Sequence, residues 1–253
     1  MTAIITDHSL TLYHNGDVYN VNSDVVNFET IVSLVSDGLY DDAVDLMNIR
    51  KVVYNQLQEV DGLVVQNDEI LWMGQPLHNY LATKIINMLQ EGYNVDPMVK
   101  FLRNLLDNPS NRVLERLYEF LEYGNLPLTE DGCFIAWKKV RSDFTDIYSG
   151  QFDNSPGTVV SVPRNQVDED MDRTCSHGLH VCSQEYLSHF GTSPSNTVVQ
   201  VKVNPKDVVA IPRDYNNTKM RTCAYEVLCE WKGTTYNIEA NVVTSDGKVS
   251  SGS

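Results

Sequence analysis

Thr129 to Phe144 reads T-E-D-G-C-F-I-A-W-K-K-V-R-S-D-F, Tyr148 to Arg164 reads Y-S-G-Q-F-D-N-S-P-G-T-V-V-S-V-P-R, and Cys175 to Gly191 reads C-S-H-G-L-H-V-C-S-Q-E-Y-L-S-H-F-G. Short runs of Val, Ile, Phe and Trp alternate here with Gly, Pro, Asn and Asp, which is how strands separated by turns are written. Strands are expected at Phe134 to Val140, Thr158 to Val162, Thr197 to Val203, Val208 to Ile211, Ala224 to Trp231 and Tyr236 to Val243. Between them, Gln184 to His189 has the spacing of a short helix.

Upstream of this region the texture differs. Ser9 to Val21 alternates apolar and polar residues around Asn15-Gly16, a pair that supplies the positive φ of a tight hairpin turn. Phe28, Ile31, Val32, Leu34 and Val35 recur at helical spacing up to Gly38, and Tyr40 to Arg50 carries Ala43, Leu46 and Met47 as a second helical stripe. L-V-V-Q and E-I-L-W-M around Asn67-Asp68 form a second ribbon. Three further helices follow, opened by Pro76 with Leu77, Tyr80, Leu81, Ile85, Met88 and Leu89 inward, by Pro97 with Phe101, Leu102 and Leu105, and by the stripe Val113 to Leu121. Such stripes ordinarily serve core packing. The expected fold is α+β: a mainly helical module with β-ribbons over residues 1–127, a β-rich α+β domain over 128–243, and a disordered polar tail at 244–253.

The chain has 253 residues, 42% of them hydrophobic, and a net charge of -15 from 34 acidic and 19 basic residues. That charge repels phosphate backbones, and direct DNA binding is not expected. Five scattered cysteines do not form the dense framework of a small secreted module, so a reducing cytoplasm is the simpler reading. M-T-A-I-I-T-D-H-S-L lacks the charged and apolar regions of a secretory signal, and no apolar run reaches the ~20 residues of a membrane span. Membrane contact, if made, is expected to be peripheral.

Three constellations could carry chemistry. Cys175, His177, His180 and Cys182 form C-x-H-x-x-H-x-C, residue types that bind zinc. Eight consecutive residues must bend sharply to place four donors on one tetrahedron, however, and on a strand His180 and Cys182 share a face while Leu179 and Val181 take the other. The alternative is buried cysteine and hydrogen-bonded histidine. A Cys-His hydrolase pair would use Cys182 or Cys175 with His180 or His189, but no cysteine-protease signature surrounds them. The third is the strand order: an early strand, G-L-H-V-C-S with a short helix, and Ala224 to Val227 loosely resemble the layout of ADP-ribosyltransferases. That likeness gives Glu226 a catalytic role, while Trp137, Lys138 and Lys139 stand where an Arg or His would hold a dinucleotide. Lys138, Lys139, Arg141, Arg164, Lys219 and Arg221 concentrate the basic charge, as a solvated face or in pairs with Asp168, Glu169, Asp170 and Asp172.

E-D-G-C-F-I-A-W-K-K-V-R-S-D-F, F-D-N-S-P-G-T-V-V-S-V-P-R, T-C-S-H-G-L-H-V-C-S and I-P-R-D-Y-N-N-T-K-M-R-T-C-A-Y-E-V together resemble the rIIB family of T-even-type bacteriophages. N-F-E-T-I-V-S-L-V, A-V-D-L-M-N-I-R-K-V-V and F-L-R-N-L-L-D-N-P-S extend the resemblance upstream, to about residues 10–231. It implies an early phage protein that works with a larger rIIA companion at the inner face of the host inner membrane. There it influences lysis timing and escape from prophage exclusion, with a host or prophage defence protein as a further partner. It implies no catalytic residues and no cofactor. Some members carry an extra N-terminal helix-turn-helix-like segment, whereas this chain begins at the hairpin, so a DNA-reading role is not expected. Oligomeric state is left open.

Overall fold

Asn15 and Gly16 take φ of 52° and 91°, the left-handed pair that a two-residue hairpin turn requires. They join β2 (Ser9–His14) to β3 (Asp17–Asn22), with His14 opposite Asp17, and β1 (Thr2–Ile5) adds a third antiparallel strand along β2. Leu10, Leu12 and Val21 face the two helices α1 (Phe28–Ser36) and α2 (Tyr40–Met47), forming a core with Phe28, Ile31, Val35, Ala43 and Met47. The computed structural model describes residues 2–23, 28–48, 62–66, 69–77, 80–90, 95–173, 175–189, 193–213, 218–233 and 242–243. Expectations for Ile49-Arg50, Asn67-Asp68, most of the strand at 236–243 and the tail at 244–253 lie outside those residues.

The second ribbon comprises β4 (Leu63–Gln66), β5 (Glu69–Trp72) and β6 (Gln75–Pro76) in that order. Here the expected helix start at Pro76 is corrected. Pro76 sits opposite Leu71 on the edge strand, where its missing N–H is not needed, and α3 begins only at Tyr80 (Tyr80–Gln90). Tyr80 is also not inward: it is exposed, and its hydroxyl donates to Glu122 Oε2 at 2.6 Å. The helices α4 (Asp96–Leu106) and α5 (Asn111–Tyr123) follow the sequence stripes, with Phe101, Leu102, Leu105, Val113, Leu117, Phe120 and Leu121 buried.

The chain divides into two compact units, Met1–His78 with Ala82–Val99 and Asn79–Leu81 with Lys100–Ser253. The texture change near residues 125–130 is a passage from helix to strand inside the second unit. That unit holds a nine-stranded sheet, ordered β12 (Val208–Ala210), β13 (Lys219–Thr222), β10 (Leu179–Cys182), β8 (Phe134–Val140), β11 (Thr197–Val203), β14 (Ala224–Glu230) and β9 (Val159–Ser161). β7 (Leu128–Thr129) pairs with β8, and β15 (Val242–Val243) pairs in parallel with β7.

The central strand β8 is in register with β11 along its whole length, from Phe134 opposite Val203 to Val140 opposite Thr197. On its other edge it meets β7 at Phe134 and β10 at Trp137. Six of its seven residues are buried, because both faces of the sheet are covered here. Gln184 to His189 proves to be a 3-10 segment over Glu185–His189 rather than an α-helix.

The helices are tied to the sheet by side-chain amides. Asn108 Nδ2 donates to the carbonyls of Pro205 and Val208, both at 2.8 Å, and Asn104 Nδ2 to those of Asp131 and Gly132 at 3.1 and 3.0 Å.

Candidate functional site

Strand alternation decides where each candidate side chain lies. Cys182 opposes Lys219 and Trp137, and His180 opposes Arg221, so these five residues share one face of the sheet. Lys138, one residue on from Trp137, projects to the other face. There it joins Tyr225, which follows from the register of Ala136 with Val201 and of Val201 with Val227.

His180 and Cys182 are thus neighbours on β10, as expected, but neither is poised as a base or a nucleophile. The Cys182 thiol donates to the Trp137 carbonyl at 3.4 Å, and burial pushes its pKa up to about 12. Burial, reinforced by Lys219, Lys138 and Arg221, pushes His180 down to about 3, so its ring is neutral at physiological pH. Its Nε2 is buried without a hydrogen-bond partner among the described residues.

Cys175 and His177 are exposed on the segment before β10, and Cys175 Sγ accepts from Lys219 Nζ at 3.4 Å. Among the described residues, no three His, Cys, Asp or Glu side chains come close enough to hold a metal ion. His189 closes the 3-10 segment, exposed, with Nδ1 at 3.1 Å from Ser188 Oγ.

Glu226 lies elsewhere. In the order β10-β8-β11-β14 it is three strands from His180, or ~14 Å at the usual strand spacing. Its carboxylate is 3.2 Å from Lys202 Nζ, which also binds Asp131 at 3.2 Å. Burial works against the charge on both of these, yet their hydrogen bonds and mutual attraction prevail: Lys202 is raised and Asp131 lowered.

Of the expected basic face, Lys138, Lys219 and Arg221 are buried, while Arg141 is exposed. Arg221 is 3% exposed, and its guanidinium donates to the backbone carbonyls of Asp168, Asp170 and Arg173, so the acidic run is wrapped around it. Arg173 in turn pairs with the carboxylates of Asp168 and Asp170, both at 3.3 Å. Lys138 is 6% exposed. Its ammonium donates to the His180 carbonyl at 3.0 Å and stands 5.8 Å from the centre of the Tyr225 ring. Burial pushes its pKa down to about 8, against the raising influence of Asp146 and Cys182.

Lys138 borders a cavity of about 520 Å³, together with Tyr148, Phe152, His177, His180 and Tyr225. Its outer wall is the loop after β8. Phe144 takes φ of 63° there, a conformation unfavourable for an aromatic residue, and Asp146 gathers the backbone N–H groups of Ser149, Gln151 and Phe152. The Tyr225 hydroxyl donates to Asn154 Oδ1, pinning the end of the same loop. A larger cavity of about 680 Å³ lies by the start of α5, where Arg112, Arg116 and Arg164 meet Asp168, Glu169 and Asp170. Its charges are mixed, and Arg164 is engaged by Asn108 Oδ1 and the carbonyls of Lys206 and Val208.

Sequence reasoning missed Asp146, Tyr148, Phe152 and Tyr225 as cavity residues, since their convergence depends on pairing between distant strands. One signal was present: the pair Lys138-Lys139 inside an otherwise apolar strand.

No solved structure matches the chain. Protein rIIB of Enterobacteria phage T4 is 42% identical over 215 residues, spanning 85% of this chain and 68% of that protein. The family model described as Bacteriophage T4 protein rIIB matches residues 2–250. By both measures, the chain belongs to the rIIB family of phage proteins.

Proposed function

We propose that this protein is a non-catalytic accessory factor of the phage-infected cell. It associates with an rIIA-like phage protein at the inner face of the host inner membrane, and so influences lysis timing and escape from prophage exclusion. The observation that carries this reading is family membership across residues 2–250.

The side chains that could have carried catalysis support it. Cys182 is a buried, hydrogen-bonded thiol, and Glu226 is engaged by Lys202 three strands away from His180. General acid–base or nucleophilic chemistry needs such groups within hydrogen-bond reach of one reacting centre. Among the described residues no helix is long and apolar enough to cross a membrane, so the membrane contact in this reading is peripheral and made through the partner.

Co-expression of the tagged chain with rIIA, gentle lysis and affinity capture test it. Co-purification of rIIA in a fixed ratio is expected. Recovery of the chain without rIIA, with both proteins present in the lysate, would overturn the proposal.

A further inference from the structure

The open edge of β1 takes no part in that reading. Among the described residues β1 pairs with β2 alone, and all four of its residues, T-A-I-I, are exposed. Natural sheets guard such an edge with charge, proline or a covering segment. Thr2 to Ile5 carries neither charge nor proline.

Alternation fixes which backbone groups the edge offers. Thr6 N donates to Ser9 O at 2.8 Å, so in the β1–β2 register the bonded pairs are Ile4 with Thr11 and Thr2 with Tyr13. The N–H and C=O groups of Ala3 and Ile5 therefore point away from β2. Side chains add a second feature. Ile5 opposes Leu10, which places it on the face that Leu10, Leu12 and Val21 present to α1 and α2, yet it is 45% exposed. The apolar layer thus runs one strand beyond the helices that cover it.

We propose that β1 is the docking edge for an extended, basic segment of a partner protein. The segment adds as a further strand, with apolar residues at alternate positions beside Ala3 and Ile5 and lysine or arginine at those between. Main-chain hydrogen bonds supply affinity in this mode, and alternate side chains supply specificity. The charge of the occupant follows from its surroundings: residues 1–48 contain eight Asp and Glu and no Lys or Arg. Such a field attracts a basic strand and opposes a second copy of this chain, whose own β1 would arrive with the same charge. The proposal stands whether or not the partner is rIIA-like.

Fluorescence anisotropy of labelled nonapeptides titrated with the full chain tests this. The first peptide alternates valine and lysine, the second has glutamate for lysine, and the third keeps the lysines but has proline for its three inner valines. The lysine peptide is expected to bind with Kd of about 100 µM or below, and the glutamate and proline peptides at least about tenfold more weakly. Raising salt from about 0.05 M to 0.5 M should weaken the lysine peptide severalfold. Amide exchange at Ala3 and Ile5 should slow when it binds. Ala3→Pro removes an outward N–H and leaves the bonds to β2, so the variant should fold normally and bind about tenfold more weakly. Should it fail to fold, the peptide series and the exchange of Ala3 and Ile5 on the unaltered chain decide. The proposal is overturned if the lysine peptide does not bind by about 1 mM, if the glutamate or proline peptide binds as tightly, or if a folded Ala3→Pro chain keeps full affinity. A dimer of the unaltered chain that Ala3→Pro dissolves would give the edge to a second copy, and would overturn it too.

Discussion

Replacing Asp146 by asparagine tests the loop that walls the cavity. In the folded chain Asp146 Oδ2 accepts from Ser149 N at 2.6 Å, and Oδ1 accepts from Ser149 Oγ, Gln151 N and Phe152 N at 2.7, 2.8 and 3.0 Å. Asp146→Asn keeps the shape but puts an NH2 in place of one oxygen. In one orientation it faces the Ser149 N–H; in the other it faces those of Gln151 and Phe152. At least one backbone donor loses its acceptor, and the negative charge is withdrawn from all of them. Hydrogen bonds to a charged group are worth about 1.5–3 kcal/mol. Ser149 and Gln151 are exposed, so water recovers part of the loss and the net cost should be about 2–3 kcal/mol.

Urea unfolding, followed by tryptophan fluorescence to which buried Trp137 contributes, measures it as a lower midpoint at unchanged slope. An acid limb accompanies the effect. Burial favours the neutral carboxyl, but the donors at Phe152, Ser149 and Gln151 outweigh it and hold Asp146 far below the usual range. A carboxyl depressed in the folded state stabilises above its unfolded pKa of about 3.9 and loses that contribution as pH falls through the folded value. The asparagine variant should therefore lose less stability than the unaltered chain between about pH 5 and pH 2. A cost under about 0.5 kcal/mol at pH 7, or identical acid limbs, would refute the reasoning.

Two further substitutions probe the second unit. Gly132 has φ of 75°, and an added Cβ would lie 2.4 Å from the carbonyl carbon of Lys100 and 2.6 Å from Phe101 N; since backbone cannot yield like a side chain, Gly132→Ala should cost about 3 kcal/mol or more, and a thermal midpoint within 2 °C or so of the unaltered chain would contradict this. His180, held at about 3, resists protonation in the folded state. Its contribution is complete above about pH 6.5 and declines as pH falls toward the folded value, by at most about 1.4 kcal/mol per pH unit. His180→Gln should flatten stability between about pH 6 and pH 4, and an unchanged slope there would show that the ring is not desolvated as described.

The elements with strong local grammar were legible. The Asn15-Gly16 hairpin, β8 and β11 stand where periodicity and turn chemistry put them, because period-2 alternation and positive-φ pairs act within a few residues. Pro76 was misread because proline suits a first helical turn and an edge strand equally, and only the β4-β5-β6 pairing distinguishes them. Strand β13 escaped notice because K-M-R-T lacks an apolar alternation; its Lys219 and Arg221 are buried by specific acceptors, Cys175 Sγ and the 168–173 carbonyls. The compact motif C-x-H-x-x-H-x-C invited a metal reading because it is dense in sequence. Alternation on β10 turns His180 and Cys182 to one covered face, while Cys175 and His177 remain exposed ahead of the strand.

The position of Lys138 within β8 calls for a physical account. A strand buried on six of its seven residues is a costly place for an ammonium, since desolvation disfavours the charge and no hydrophobic contact is gained by it. Packing alone would be served as well by methionine or leucine at residue 138, with Phe134, Ala136 and Val140 on the same face. The local rules that specify a fold are kept elsewhere along β8, and departures from them tend to fall where a side chain has work to do. Here the ammonium clamps the His180 carbonyl at the point where β10 and β8 part. Lys138→Met should then destabilise the chain by the worth of one such hydrogen bond, about 1–2 kcal/mol, read as a lower urea midpoint. A midpoint that holds or rises would show that relief of the buried charge outweighs the lost hydrogen bond, and would refute the clamp.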